Sequence, residues 1–277
     1  TVADAALLLA ALAGADPTDP ETAARGPEAG AYASALRRTA LAGARIGVVR
    51  TPFFGADAAV DGLAEEAFAT MRRQGAVIVD PVDIETIGAL STDEFRVLLH
   101  EFPRDLQRFF EWWGPGAPVR TVADVIAFNT AHASEELALF GQEILELSAS
   151  GGAMTEAGYR EALARNRRRA GEQGIDAAMR RHTLDALIAP TGGPAWLIDV
   201  TRGDSGSATR PSPASLAAVA GYPHITVPMG FHEGLPVGLS FFGRAWSEPT
   251  LIGLAYAYEQ ASAHRRPPSF LPTLGRR

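Results

Sequence analysis

The chain has 277 residues, a formal net charge of −7 at pH 7 and no cysteine, and 47% of its residues are hydrophobic. This composition excludes a disordered tail, a collagen-like fibre and a coiled coil, and the length suits one large domain or two modest ones. The negative charge disfavours binding to nucleic acid or to an anionic membrane. The lack of cysteine excludes disulfides, thiolate metal sites and a cysteine nucleophile. All 25 basic residues are arginine, so the chain has no lysine either.

The first apolar segment, Ala5–Leu12, predicts a buried helix. It is not a signal peptide, because Asp4 stands where such a peptide carries a positive charge. It is also much shorter than the roughly 20 apolar residues that span a bilayer. We therefore predict no membrane segment and a cytoplasmic location. Export stays undecided, because the chain begins at Thr1 without an initiator methionine and an upstream part is expected to be missing.

A strand, an amphipathic helix and a second strand follow between residues 45 and 80. The two strand patterns, Arg45–Arg50 and Ala76–Asp80, are short and rich in β-branched residues. Between them, Asp57 is a suitable N-cap for a helix whose apolar residues recur every three or four positions. Such a βαβ unit implies a parallel sheet.

Residues 92–182 have an almost entirely helical pattern. Phe95–Phe110 carries one apolar stripe, and Thr121–Ser148 carries a second over what we predict to be one helix. Thr155 begins a third helix that is rich in arginine. A phosphate site is one interpretation of these arginines, but a solvated helix face is favoured. We predict that this helical block is a cap or an insertion over the sheet.

The sheet resumes in residues 184–262. Between the strand and helix patterns, Gly192–Pro213 is rich in Gly, Ser, Pro and Thr, which is typical of a binding loop. The alternation of strands and helices predicts an α/β fold. The predicted elements are strands Leu184–Thr191, His224–Pro228 and Val237–Phe242, helices Ser215–Ala220 and Ser247–Ala261, and a hairpin connection over Gly230–Pro236.

The sequence offers few residues with recognisable catalytic or metal-binding spacing. Gly203-Asp204-Ser205-Gly206 has the residues that surround the nucleophile of trypsin-like proteases, but those proteases are all-β and usually rich in disulfides. A flexible polar loop is the favoured interpretation. No two histidines have the spacing of a helical zinc site, and no glycine-rich phosphate loop is present. We therefore predict no metal and no cofactor.

Two C-terminal stretches resemble the amidase signature enzymes. Gly221–Phe231 has a Gly-x-Pro-x-Ile-x-Val-Pro pattern, and Leu235–Leu239 reads Leu-Pro-Val-Gly-Leu. The resemblance extends along essentially the whole chain, and its middle part is most similar to the peptide amidase branch. The other segments that carry it are Thr1–Leu9, Asp124–Asn129, Phe140–Glu143 and Ala189–Thr191.

This resemblance implies the amidase signature fold, in which a mixed β-sheet is flanked by helices and carries a helical cap region. It also implies hydrolysis of a carboxamide C–N bond by a serine nucleophile, a second serine held by a cis peptide bond, and a lysine base. In that family all three residues precede the helix with which this chain begins. Since this chain has neither the serine loop nor a lysine, no catalytic residue is assigned. Residues 1–277 are then the C-terminal part of one amidase domain, which pairs with a missing N-terminal half.

The resemblance further implies that part of the pocket for a small-molecule or peptide amide lies in this chain. For the phenylalanines, plain core packing is an equal alternative. Two other functions stay open: a non-catalytic amidase-like binding protein, and an independent enzyme with Ser205 as its nucleophile. The predicted pocket residues are Phe128, Asn129, Phe140, Gln142, Trp196, Ile198 and Asp199.

Overall fold

The computed structural model describes residues 1–23, 26–151, 154–196, 200 and 211–270. These residues separate into two compact units. One unit comprises residues 1–23, 26–84, 175–196 and 211–270, and the other comprises residues 85–151, 154–174 and 200. The helices are α1 (Val2–Leu12), α2 (Ala29–Ser34), α3 (Ala58–Arg73), α4 (Ser91–Trp113), α5 (Val122–Ala131), α6 (Ala133–Glu136), α7 (Glu143–Ala149), α8 (Glu156–Ala170), α9 (Asp176–His182), α10 (Pro213–Ala220) and α11 (Glu248–Ser262).

The first unit is built on a mixed sheet. Its strands are β1 (Arg45–Val48), β2 (Val77–Val79), β3 (Ala186–Pro190), β4 (His224–His232) and β5 (Leu235–Phe242). Their spatial order is β2-β1-β3-β5-β4. Strand β1 is parallel to β2 and β3, whereas β5 is antiparallel to both β3 and β4. The predicted βαβ unit and the predicted fold class, a mixed sheet with flanking helices, are both confirmed.

One face of the sheet packs against α3 and α11 and forms the main core. Helix α3 begins where predicted, because the Asp57 carboxylate accepts hydrogen bonds from the backbone N–H groups of Ala59 and Val60. The sheet contributes alternate residues to this core, as the two-residue period of a strand requires. The core-facing residues of β1, β3 and β5, the three strands at the centre of the sheet, are fully buried and include Ile46, Val48, Ile188, Leu239 and Phe241.

The hairpin between β4 and β5 is tighter than predicted. Strand β4 continues to His232, which pairs with Leu235, so only Glu233 and Gly234 form the turn. Both residues have positive φ angles, of 49° and 83°. This is the conformation that a two-residue hairpin needs in order to match the twist of the strands.

Helix α1 is less buried than predicted. A capping box between Thr1 and Asp4 fixes its start, and the backbone N–H of Val2 donates to Glu259 of α11 at 3.0 Å. Ala6 is buried, but Leu8 is 61% exposed and Leu12 is 72% exposed. The prediction of a buried helix is therefore wrong for the outer face of α1, which has no apolar partner among the described residues.

The second unit is helical, but the predicted helix Thr121–Ser148 is wrong. The structure divides that segment into α5, the single turn α6, and α7. A glycine at position 141 precedes α7, and glycine is among the poorest helix formers. The predicted start of the third helix is confirmed, because the Thr155 hydroxyl accepts from the backbone N–H of Gly158 at the start of α8. That this unit caps the sheet stays a prediction.

The arginines of α8 are only partly a solvated face. Arg167 and Arg168 are exposed, as predicted. Arg165, in contrast, makes a two-pronged ion pair with Asp93 of α4, with N–O distances of 2.7 and 3.0 Å. Its guanidinium holds the pKa of the Asp93 carboxyl below its usual range. Arg169 donates to the carbonyl oxygen of Ala89 at 3.1 Å. These two arginines join α8 to the start of α4.

Candidate functional site

The predicted pocket residues are distributed over both units. Phe128 and Asn129 lie on α5, and Phe140 and Gln142 precede α7, all within the helical unit. Trp196 follows β3 in the sheet unit and is 42% exposed. Ile198 and Asp199 lie outside the described residues, as does Ser205.

Within the helical unit, Gln142 ties the segment before α7 to α5. Its Nε2 donates to the Thr130 hydroxyl at 3.0 Å and approaches the Ile126 carbonyl oxygen at 3.5 Å. Its side-chain oxygen is buried and has no hydrogen-bond partner among the described residues. A buried acceptor without a donor is costly, so this amide oxygen is a candidate contact for an N–H group.

The two predicted pocket phenylalanines are not core residues in this chain. Phe128 is 48% exposed and Phe140 is 63% exposed. The Phe128 ring stacks on His132 with 4.2 Å between the ring centroids. The exposure of these two rings fits a binding surface better than core packing does.

An apolar groove of about 400 Å³ lies between α4 and α7 in the same unit. Two carboxylates of α4 line it, but both already have partners: Glu101 accepts from the Tyr159 hydroxyl, and Asp105 contacts Arg108. The groove therefore offers apolar contact rather than a charged subsite. The sequence predicted the apolar stripe of α4. It did not predict that α7 leaves part of this stripe uncovered, so that a groove remains between the two helices. The apolar lining residues are Phe95, Leu98, Leu99, Phe102, Ile144 and Leu145.

The sheet unit contains a polar arrangement that the sequence analysis missed. Thr191, which follows β3, Thr226 of β4, and Ser240 and His224 form a hydrogen-bonded series that we call the hydroxyl track. The Oγ1 atoms of Thr191 and Thr226 are 2.6 Å apart, and Thr191 Oγ1 is 2.8 Å from Ser240 Oγ. Ser240 Oγ is in turn 2.7 Å from Nε2 of His224. The spacing of these residues in the sequence does not predict the track, since they come from β4, β5 and the residue after β3.

The track lies on the sheet face opposite the main core, because Val227, Leu239 and Phe241 alternate with its members and point into that core. Burial lowers the pKa of the His224 imidazole below its usual 6.5. The Ser240–His224 contact has the separation of a nucleophile and its base. Ser240, however, is 0% exposed, so no substrate reaches its hydroxyl, and we do not assign it as a nucleophile.

Neither a metal site nor a membrane helix is found in the described part of the chain. No three His, Asp or Glu side chains converge there as metal ligation requires. None of its helices is long and apolar enough to cross a bilayer.

Comparison with known proteins identifies the family. The amidase family model matches residues 1–252. A probable amidase of Arabidopsis thaliana is 32% identical over 279 residues, which cover 98% of this chain and 49% of that protein. A putative amidase of Arthroderma benhamiae is 30% identical over 293 residues, which cover 96% of this chain and 46% of that protein. The chain belongs to the amidase family.

A solved structure agrees with this assignment. The native peptide amidase of Stenotrophomonas maltophilia superimposes with a TM-score of 0.85 and 46% sequence identity. The match covers 98% of this chain and 53% of that chain. The resemblance stated from the sequence is thus confirmed. The chain spans about half the length of the curated relatives it matches.

Proposed function

We propose that these 277 residues are the C-terminal part of an amidase that hydrolyses carboxamide C–N bonds with a Ser-cisSer-Lys triad located upstream. The main support is that almost the full length of the chain aligns with only about half of the Arabidopsis thaliana and Stenotrophomonas maltophilia proteins. The complete lack of lysine supports the same proposal, because a base of that type has to come from elsewhere.

In the proposed reaction the upstream half supplies the chemistry and this chain supplies binding surface. A neutral lysine accepts the proton of the nucleophilic serine through the bridging serine, the serine oxygen attacks the carbonyl carbon, and backbone N–H groups stabilise the oxyanion. The C–N bond then breaks as that proton passes to the leaving nitrogen, and water hydrolyses the acyl-enzyme ester to release the acid. Phe128 of α5, Phe140 before α7 and the free oxygen of Gln142 then contact the substrate. We further propose a peptide amide as substrate, supported by 46% identity to a peptide amidase, and a cytoplasmic location.

The sheet unit has two surfaces suited to an upstream half. Among the described residues β4 pairs with β5 alone, so its outer edge carries unpaired N–H and C=O groups. Nearby, Ala5 and Leu9 of α1 line a small apolar pocket with Ile225 of β4 and with Pro223, which precedes that strand. The exposed leucines of α1 extend this apolar area. Such an edge and patch are typical of an interface rather than of a free surface.

The test is co-expression of this chain with the region encoded directly upstream. We expect no amide hydrolysis from this chain alone and restored hydrolysis of peptide C-terminal amides from the pair. Leu8→Asp should weaken the pairing, whereas Leu139→Asp is the matched control, because Leu139 is equally exposed (62%) but lies in the other unit. In the restored enzyme, Phe128→Ala should change KM and substrate preference more than kcat.

Two outcomes contradict the proposal. Turnover by this chain alone that disappears in Ser205→Ala would favour the independent enzyme. An upstream region without a lysine and a serine-rich loop, together with amide binding but no turnover, would favour the non-catalytic binding protein.

A further inference from the structure

The hydroxyl track depends on the absence of a side chain at one position of β5, the strand that lies between β3 and β4. Thr191 and Thr226 stand on either side of β5, so their backbones are about 10 Å apart, twice the spacing of neighbouring strands. Their hydroxyls meet because Gly238 of β5 lies between them. A Cβ atom at position 238 would sit 2.6 Å from Thr226 Oγ1 and 2.9 Å from Thr191 Oγ1. Any larger residue there would separate the two threonines.

The track has a buried end and an open end. Ser240 is fully buried and His224 is partly buried, whereas Thr226 is exposed. A hydroxyl has one proton to donate and two lone pairs, so a single contact leaves it able to form more hydrogen bonds. Thr226 therefore presents unused hydrogen-bonding capacity at the surface of the sheet.

The track carries no net charge at neutral pH. It consists of three hydroxyls and an imidazole whose pKa is lowered by burial. No Asp, Glu or Arg side chain hydrogen-bonds to it among the described residues. A charged ligand would lose hydration here without gaining a counter-ion. An uncharged group that both donates and accepts hydrogen bonds matches the pair of hydroxyls better.

The open end also lies where open α/β sheets bind ligands. Thr191 directly follows the carboxyl end of β3, which is parallel to β1. Ligands of such sheets bind outside the carboxyl ends of parallel strands.

We infer that the hydroxyls of Thr191 and Thr226 bind the carboxamide group of an uncharged ligand, and that the missing side chain of Gly238 lets the two hydroxyls converge. The identity of the ligand as an amide substrate rests on the proposed function. The existence of a neutral donor–acceptor site rests on the geometry of the track.

The test is an NMR titration of the isotope-labelled 277-residue chain carrying Leu8→Asp and Leu12→Asp, which remove two exposed apolar side chains that favour self-association. The ligands are N-acetylphenylalaninamide and, as the acid of the same skeleton, N-acetylphenylalanine. We expect the amide to shift the backbone signals of Thr191, Thr226 and Gly238 saturably, and the acid to leave them in place. Thr226→Val keeps the shape but removes the hydroxyl, and should weaken amide binding about tenfold. Thr226→Ser should bind nearly as the parent does.

Two further variants distinguish a specific loss of ligand binding from a general loss of stability. Thr70→Val is the control, since the Thr70 hydroxyl donates to the Glu66 carbonyl on α3, away from the track. It should leave amide binding unchanged. Gly238→Ala should abolish amide binding although both threonines remain. Equal binding of amide and acid, no saturable shift, or unchanged binding in Thr226→Val would overturn the inference.

The result of this titration and the result of the co-expression test can be distinguished. Restored hydrolysis in the co-expressed pair without binding at Thr226 would reject this site and keep the amidase. Binding at Thr226 without any restored hydrolysis would keep the site and reject the catalytic proposal.

Discussion

The imidazole of His224 shows how its surroundings set the protonation of a single side chain. It lies at the start of β4, hydrogen-bonded to a serine that is fully buried. Removal from water penalises the charged form, so the pKa of His224 falls below 6.5. The same residue in the unfolded chain titrates at its ordinary value. Folding and protonation of His224 are therefore coupled.

The sign of this coupling gives a pH prediction. As the pH falls through 6.5, the His224 imidazole becomes protonated in the unfolded chain but stays neutral in the folded chain. The free energy of unfolding therefore decreases. The loss continues until the pH reaches the lower pKa of the folded state. In His224→Gln this loss should be smaller, because glutamine hydrogen-bonds to Ser240 without titrating.

Urea unfolding at pH 7.5 and at pH 5 measures the effect, and His232→Gln, at the other end of the same strand, is the control. An equal acid-induced loss of stability in His224→Gln and in the parent chain would contradict the coupling.

Residue contacts such as those of His224 and Asp93 could not be predicted from the sequence. Asp93 and Arg165 are 72 positions apart, and nothing in the spacing of either selects the other. The arginines were identified as a group, but a solvated arginine and a paired one look alike in a sequence. What separates them is burial, which depends on how α4 and α8 pack.

At the scale of elements, local rules succeeded where an element depends on its own residues. Helix α3 and the start of α8 follow from their caps and apolar spacing, and strands β1 and β2 follow from their β-branched runs. The order of the sheet does not follow in this way. Strand β5 comes after β4 in the chain but lies between β3 and β4 in space. The break between α5 and α7 was missed, because apolar periodicity continues through it.

Two glycines in neighbouring elements should respond oppositely to alanine. At Gly47 of β1 a Cβ would lie 2.5 Å from Leu184 Cδ1 and 2.9 Å from Leu187 Cδ2, so Gly47→Ala overpacks the core and should cost about 1–3 kcal/mol. At Gly62 of α3 no atom lies within 4 Å of that position. Gly62→Ala should therefore stabilise the protein by about 0.5–1 kcal/mol, since alanine favours a helix.

Urea unfolding of both variants measures these changes in the free energy of unfolding. An unchanged or raised stability of Gly47→Ala would show that the contacts around Gly47 relax without cost, and a loss of stability in Gly62→Ala would contradict the prediction for α3.

At the scale of the whole molecule, the family could be identified from the Gly221–Phe231 and Leu235–Leu239 motifs, and the comparisons confirm it. For the candidate site, the sequence offered pocket residues that stay a prediction. Phe128 and Gln142 were named from resemblance, but the hydroxyl track required the three-dimensional neighbours of Gly238. No catalytic residue is assigned in this chain, because its sequence has neither the serine loop nor the lysine that the proposed triad requires.

The exposed apolar surfaces predict self-association. Leu8 and Leu12 of α1 are mostly exposed, and the outer edge of β4 is unpaired in the described sheet. Both features favour aggregation when no partner covers them. Sedimentation velocity should therefore show oligomers or aggregates of the isolated chain despite its net charge of −7. Leu8→Asp with Leu12→Asp should reduce them, and Leu139→Asp should not. A monodisperse monomer with a cooperative melt would count against the proposal that a half is missing.

The central place of β5 has a consequence for the order of assembly during translation. Strand β3 pairs with β1 on one side and with β5 on the other. Its partner β5 is synthesised after β4 and is the last of the five described strands. Until Leu235–Phe242 leaves the ribosome, β3 has hydrogen-bonding groups along one side with no strand to receive them. The β4–β5 hairpin must then dock as a unit, with its later strand facing inward. A nascent chain that stalls in this interval exposes the middle of its own sheet, and is most vulnerable to misfolding just before β5 emerges.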